Sequence, residues 1–346
     1  MGVLDAYRRP PVEVARDFLV NTDEVARKED AKERRLVYEE DTEELLRQKI
    51  GKWFNDPTVI AKTRKFAGLG ASQSLYRRIV NERARHVYSI PPVRTIDPEA
   101  EQETFSRVAV EVELNETMNA LCHELVNHND VVTYTRYIPR LRRIKIDILT
   151  PDMVTIIPDP DDVTTPLAYL YQRKTYNTIT HTWEMWQVFW DDTFTFLLDA
   201  RGNITPFPGE KEAMRRHLMP EMPLLLVRRW KPSGQMWNRT QGKALMAANY
   251  LTSLMRILSA RLLKAQGFNT AVISGDIHGF PKEQVLDEEG ALIAPEGTQV
   301  TMLQLQTNAD HYTKFGESVA TEAAANHGIS RGRLNQTGAQ DSDDTG

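Results

Sequence analysis

The chain has 346 residues, 41% of them hydrophobic and 26% charged, with a formal net charge of −5. This is the composition of a folded protein large enough for two domains or one elongated one. Nothing in it argues for nucleic-acid binding by bulk attraction, and the single cysteine, Cys122, excludes an internal disulfide framework and fits a reducing compartment. The opening MGVLDAYRRPPVEVARDF has no apolar run of signal-peptide length, and no segment reaches the roughly 18 continuous apolar residues of a membrane span. Synthesis in a cytoplasm and no membrane partner are expected.

In chain order, residues 10–50 mix charges of both signs every three to four positions, the pattern of solvated helices supported by ion pairs. A turn at FAGLGAS precedes a helix from Ser72 to Val87, ended by Pro91 and Pro92. Residues 99–130 read as one long helix. The period then changes. VVTYTRYIPRLRRIKIDILTP alternates and is rich in β-branched residues, giving two strands around Pro139. Further strands flank the Asp/Pro loop PDPDD, the pair Asp191-Asp192 and the turn Arg201-Gly202-Asn203. The block 131–229 therefore reads as antiparallel, without the strand–helix alternation of a nucleotide-binding sheet.

From Gln241 the helical period returns. Ala244, Ala247, Ala248, Leu251, Leu254, Met255, Leu258, Leu262 and Ala265 form one stripe along a helix at 242–266, stopped by Gly267. FNTAVISGD reads as a strand, and ALIAPEGTQVTMLQL as two more around Pro295-Glu296-Gly297. A second helix at 308–327 ends at Gly328, and its face of Gly316, Ala320, Ala323, Ala324 and Ala325 suits a very close helix–helix approach. The ending RGRLNQTGAQDSDDTG is polar and reads as disordered.

No motif assembles an active site. In HELVNH, His123 and His128 are five apart and diverge by about 140° around a helix, too far to share a zinc ion. GLGAS lacks the Gly-Lys-Ser/Thr that completes a phosphate loop, and Ser72 reads better as a helix cap. PDPDD brings three carboxylates together, but Asp and Pro are ordinary turn residues. RLRRIK, Arg140 to Lys145, is the clearest basic cluster; on a strand its charges fall on both faces and pair with acids, or meet a partner. Trp183, Trp186, Phe189, Trp190, Phe194 and Phe196 read as sheet core, with a subunit contact as the alternative. No catalytic residue, metal or cofactor is expected.

The order of parts, helices, a β-rich block, a long helix, a β excursion and a returning helix, resembles the portal proteins of tailed bacteriophages. So do RIVNERARHVYSIPP, LTPDMVTIIPDPDD, LSARLLKAQGFNTAVISGD, ALIAPEGTQVTMLQL and AAANHGIS, and the resemblance covers residues 70–334. It implies an α+β, portal-like fold: an N-terminal helical segment at 1–70, a wing of helices then antiparallel strands at 71–239, a stem helix at 240–266, a small β clip at 267–304, a returning stem helix at 305–328 and a tunnel-like or disordered tail at 329–346. Portal proteins continue into a further helix and a crown; here RGRLNQTGAQDSDDTG follows Ser330, which reads either as a shortened tunnel segment or as a truncation before the crown.

The resemblance further implies a ring of about twelve copies at one capsid vertex of the virion, made in the host cytoplasm. The ring conducts double-stranded DNA during packaging and ejection and docks terminase, capsid, scaffold and head–tail adaptor proteins. From Thr240 onward the chain has eight Lys and Arg against twelve Asp and Glu, and a net acidic wall lets DNA slide. Arg261, Lys264, Lys314, Arg331 and Arg333 are the channel candidates for passing phosphate contacts; pairing with acids between subunits is the alternative. Phe280, Lys282, Glu283, Asp287 and Glu288 are the candidates for docking at the clip. A different head–tail adaptor and a metal-dependent enzyme are the other functional readings.

Overall fold

The structure is a computed structural model that describes residues 2–71, 74–88, 90, 92–97, 101–177, 181–199, 201–207, 211–217, 219, 221–230, 234–238, 242–267, 270–274, 299–303, 309–330 and 332–333. In chain order the helices are α1 (Val3–Tyr7), α2 (Pro11–Val20), α3 (Thr22–Tyr38), α4 (Glu43–Trp53), α5 (Pro57–Arg64), α6 (Ala67–Ala71), α7 (Leu75–Val87), α8 (Gln102–Glu111) and α9 (Leu114–His128). Nine strands follow: β1 (Asp130–Ile138), β2 (Arg143–Leu149), β3 (Val154–Pro158), β4 (Pro166–Asn177), β5 (Thr182–Trp190), β6 (Phe194–Leu198), β7 (Ile204–Thr205), β8 (Met214–Arg216) and β9 (Leu224–Arg228). The chain ends with α10 (Lys243–Gly267), β10 (Thr270–Ser274), β11 (Gln299–Leu303) and α11 (Ala309–Asn326). It is a mixed helix-and-sheet fold, and no helix among the described residues is long and apolar enough to cross a membrane.

The chain forms two compact units, each built from two separate stretches: Met1–Glu39 with Arg77–Lys243, and Glu40–Tyr76 with Ala244–Gly346. The division cuts through the expected segment 1–70, because the helices before Glu39 pack with the sheets and those after it pack with α10. Local signals start several helices. The Asn21 side chain accepts the N–H groups of Asp23 and Glu24 at 2.9 and 3.2 Å, and Asp56 does the same for Thr58 and Val59 ahead of Pro57.

In the first unit every strand pairing is antiparallel. A three-stranded sheet runs β2-β1-β9, and a larger one runs β3-β4-β5-β6-β7 with β8 also on β6. Val132, Leu149 and Leu224 of the small sheet share a core with Val154, Ile156, Tyr169, Tyr171, Val188 and Trp190 of the large one. The alternate residues of the large sheet, Ala168, Leu170, Phe189, Phe196 and Leu198, pack against Val3, Val14 and Ala15 of α1 and α2. The central strands are thus covered on both faces, which is why they read as near-continuous apolar runs. Phe189 and Phe196 stack at 4.3 Å in this core, whereas Trp183, expected there too, is 60% exposed on the outer part of the β4–β5 hairpin.

Three expectations need correction. Residues 99–130 hold two helices, broken where Glu113 takes a left-handed conformation (φ 50°). The apolar rows Phe105, Val108, Val112 and Leu114, Met118, Leu121, Leu125 are out of phase across that point, so one straight helix would leave one row off the core. The second correction is RLRRIK: Arg140 to Arg142 form the turn of the β1–β2 hairpin, and only Arg143 onward lies on a strand. Third, the charged stretch 22–38 is not simply solvated. Arg27 donates to the carbonyls of Pro151 and Val154, Arg35 pairs at 3.0 Å with Asp152, whose side chain is 8% exposed, and Arg34 is 1% exposed.

Asp191, fully buried, joins α1 to the sheet. One carboxylate oxygen accepts the N–H groups of Thr193 and Phe194 at 2.8 and 2.6 Å, and the other accepts that of Val3 at 3.1 Å. Asp191→Ala leaves the N–H groups of the buried Val3 and the half-buried Thr193 and Phe194 unpaired and is expected to lower unfolding stability by roughly 3 kcal/mol in urea titration; a loss under about 0.5 kcal/mol, the size of an ordinary surface effect, would contradict this assignment.

Candidate functional site

The second unit contains the pair of helices that the sequence singles out. α10 has 25 residues, a rod of about 37 Å. Its buried residues are not the apolar stripe. They are Leu245, Met246, Asn249, Tyr250, Thr252, Ser253, Ile257 and Ser259, while Ala248, Leu251, Leu254, Met255, Leu258 and Leu262 are half-buried and Ala244 and Ala247 are exposed. The reason lies in what packs on each side. α6 comes so close that a methyl group on Gly70 would sit 2.7 Å from Ile257 Cδ1 and 3.2 Å from the Ser253 carbonyl oxygen. Trp53 meets Tyr250 edge-on at 6.4 Å, and Asn249 Oδ1 accepts the Tyr76 N–H at 3.1 Å, satisfying a donor at the start of α7. A polar Asn amid ALMAANYLTSLM is the one sequence signal of that fixed partner. GLGAS is accordingly a short helix making a close contact, and α7 starts after Ser74; Ser72 lies outside the described residues.

α11 meets α10 through small groups. Gly316 lies against Met255, where an added methyl would stand 3.4 Å from Met255 Cβ, and the Thr313 and Ser259 hydroxyls are 3.5 Å apart. Numbers rise along α11 as they fall along α10, so the two run antiparallel here. Ala309, Gly316 and Ala323 are buried at seven-residue intervals with Thr313 and Ala320 between them, the spacing of a coiled-coil seam filled by the smallest residues. The end of α11 is set by Gly328 in the left-handed region (φ 74°): its N–H donates to the Ala325 carbonyl, and the N–H of the buried Ile329 to that of Ala324, both at 2.9 Å. β10 and β11 pair antiparallel, Thr270 opposite Leu303 through Ser274 opposite Gln299. The expected first strand at 291–294 falls outside the described residues.

The channel candidates lie on different elements. Arg261 is half-buried and donates to the Thr63 hydroxyl at 3.1 Å, so it is held to α5; Lys264 is exposed on the same helix. Lys314 is exposed about 160° around α11 from Gly316, and Arg333 is exposed beyond the end of that helix. Arg331 and the docking candidates Phe280, Lys282, Glu283, Asp287 and Glu288 lie outside the described residues, as does the tail from 334.

The other sequence candidates are structural parts of the first unit. In PDPDD, Asp162 accepts the hydroxyls of Thr165 and Thr164 and the Thr164 N–H, bonds that hold its carboxyl below the usual carboxylate range. In HELVNH the closer pair is Glu124 and His128, one turn apart, with His128 Nε2 3.5 Å from Glu124 Oε2 and 3.2 Å from Asn127 Nδ2. Burial pushes His128 down to about 3, so the ring is neutral and this is no ion pair at neutral pH; burial pushes Glu124 up. His123 is half-buried, 3.4 Å from the Tyr38 hydroxyl. Among the described residues no group of three or more His, Cys, Asp and Glu is placed to hold a metal ion.

No protein-family profile matches the chain, and no curated protein sequence matches it. Solved structures are similar over most of its length. A chain in the virion of a native gene transfer agent particle is 14% identical at a TM-score of 0.42, over 79% of this chain and 68% of that one. A chain in the neck of an empty particle of that kind, computed with C6 symmetry, is 14% identical at a TM-score of 0.41, over 74% and 65%.

Gly70→Ala is expected to cost about 1–3 kcal/mol in chemical denaturation, because the Ser253 carbonyl cannot move aside. Gly316→Ala, where a methyl just fits inside a helix, is expected to be neutral or to gain up to about 1 kcal/mol. Equal stabilities for the two variants would contradict the close contact at Gly70. For His128 the folded state favours the neutral ring, so its contribution is complete above about pH 6.5 and is lost as pH falls towards 3, by about 1.4 kcal/mol per unit. Glu124, raised, opposes this by adding stability on acidification. Denaturation midpoints between pH 7.5 and 5 are expected to fall less steeply in His128→Gln than in the parent; parallel curves would refute the assignment.

Proposed function

We propose that this chain is a structural subunit of a tailed-phage-like particle and, more finely, a portal-type protein. About twelve copies close into a ring that conducts double-stranded DNA into and out of a capsid at one vertex of the virion. The observation that supports the reading best is the mismatch on α10. Its longest apolar stripe, Ala248 to Leu262, is only partly buried, while its buried face includes Asn249, Thr252, Ser253 and Ser259. A helix that buries its mixed face and leaves its apolar stripe incompletely covered is suited to a neighbour. The returning α11, with its small-residue seam, supports the same reading, because thin helices crowd around an axis. The element order helix, β10–β11, returning helix matches the stem and clip that the sequence resembles.

In this reading the polar outer face of α11, with Lys314, faces the channel, and the net acidic charge beyond Thr240 keeps phosphate contacts brief. Arg261, held to Thr63, is a structural cation, and Lys264 and Arg333 are the remaining described contacts for passing DNA. The segment between β10 and β11 docks terminase and, later, head–tail adaptor proteins, and scaffold and capsid proteins surround the ring. The subunit has no catalytic role of its own.

Light scattering on the purified chain tests the assembly. The parent is expected near twelve times the subunit mass, and Leu254→Asp with Leu258→Asp near one subunit mass, with circular dichroism checking that the double variant still folds. A parent that stays monomeric, or a double variant that assembles unchanged, would count against the ring.

A further inference from the structure

The β1–β2 hairpin carries a charge that the stem-and-ring reading does not use. Between Arg136 and Asp147 there are five cations, Arg136, Arg140, Arg142, Arg143 and Lys145, and one acid, Asp147, in a chain whose overall charge is −5. The structure divides these cations into two groups. Arg136 and Lys145 face each other across the ladder and share Asp147, at 2.6 and 2.7 Å. Arg140, Arg142 and Arg143, at and beside the turn, are exposed and make no side-chain hydrogen bond or ion pair with any described residue. Among the described residues the Glu111 carboxylate also reaches the hairpin, accepting the Ile144 backbone N–H at 3.1 Å. Tyr137 and Leu141 flank the arginines at 59% and 54% exposure.

We infer that the tip of the β1–β2 hairpin is a contact site for the phosphate backbone of double-stranded DNA. Three features favour a duplex over an acidic protein surface. The free cations are all arginines, whose forked donors match phosphate oxygens in pairs. They sit on and next to a turn in which Arg142 has φ 49°, and not in a row along one strand face. A duplex offers phosphates on every side of such a tip, whereas a protein partner must place its carboxylates to match. A two-stranded β-ribbon also fits the major groove of B-form DNA, with arginines reaching the strands on either side. The Tyr137 hydroxyl, without a partner among the described residues, is a further donor to phosphate. The contact positions the DNA without reading its sequence. It does not depend on ring formation, since one subunit presents the whole tip.

The test is fluorescence anisotropy of a labelled random-sequence duplex with the full chain, across a salt series. Arg140→Ala with Arg142→Ala and Arg143→Ala is expected to reduce the slope of log affinity against log salt by about 2.7, at roughly 0.9 for each phosphate no longer neutralised. A control removing three exposed cations elsewhere, Lys32→Ala with Lys52→Ala and Lys65→Ala, is expected to leave the slope unchanged, and circular dichroism checks that both variants fold. The assignment is overturned if the parent fails to bind the duplex, if both triple variants reduce the slope equally, or if the hairpin variant keeps the parental slope. Binding of polyglutamate in preference to the duplex, abolished in the hairpin variant, would overturn it in favour of an acidic protein partner. Because the readout is DNA affinity, a monomeric chain that passes leaves this inference standing while the ring fails, and an assembled chain that does not bind does the reverse.

Discussion

Ile257 has no exposed surface because α6 presents Gly70 to it, and that contact decides which way α10 faces. With no side chain between them, the α6 backbone reaches Ile257 and the Ser253 carbonyl, and the neighbouring turns carry Asn249 and Tyr250 inward with them. The apolar stripe then lies centred about 125° around the helix from Ile257, clear of this contact. Met255 at its margin meets Gly316 of α11, and the rest stays only partly buried. A steric allowance in a short helix, with the contacts of Trp53 and Tyr76, thus turns a mixed face of the long helix inward.

The same contact shows where sequence reading works and where it stops. The helices at 242–266 and 308–327 were legible because their periods are long and their ends are marked, by Gly328 above all. The antiparallel block was legible from its alternation and its Asp and Gly turns. The buried face of α10 was not legible, because hydrophobic period identifies the most apolar side of a helix, and three neighbouring elements selected a different side. The break at Glu113 was visible only as a phase slip between two apolar rows. RLRRIK reads as strand because the longer stretch around it alternates, yet Pro139 and a left-handed Arg142 bend its first half into a turn.

Polar groups inside the first unit follow a shared logic. The buried Asp191 and the half-buried Arg27 and Arg35 direct their bonding capacity to backbone groups or to the Asp152 carboxylate, tying the N-terminal helices to the β-rich part of the unit. Such links give direction to a core that apolar packing alone would leave adjustable. HELVNH belongs to this set. It resembles a metal motif in composition, and its buried member His128 is a neutral core residue at the end of α9.

Central to the account is that the partly buried stripe of α10 is the surface through which copies close around an axis. Class averages of negatively stained, purified chain by electron microscopy test this most directly. The account predicts ring-shaped end views with a stain-filled central hole and a single rotational symmetry. Uniform compact particles of one subunit, or closed assemblies with no axial opening, would contradict it.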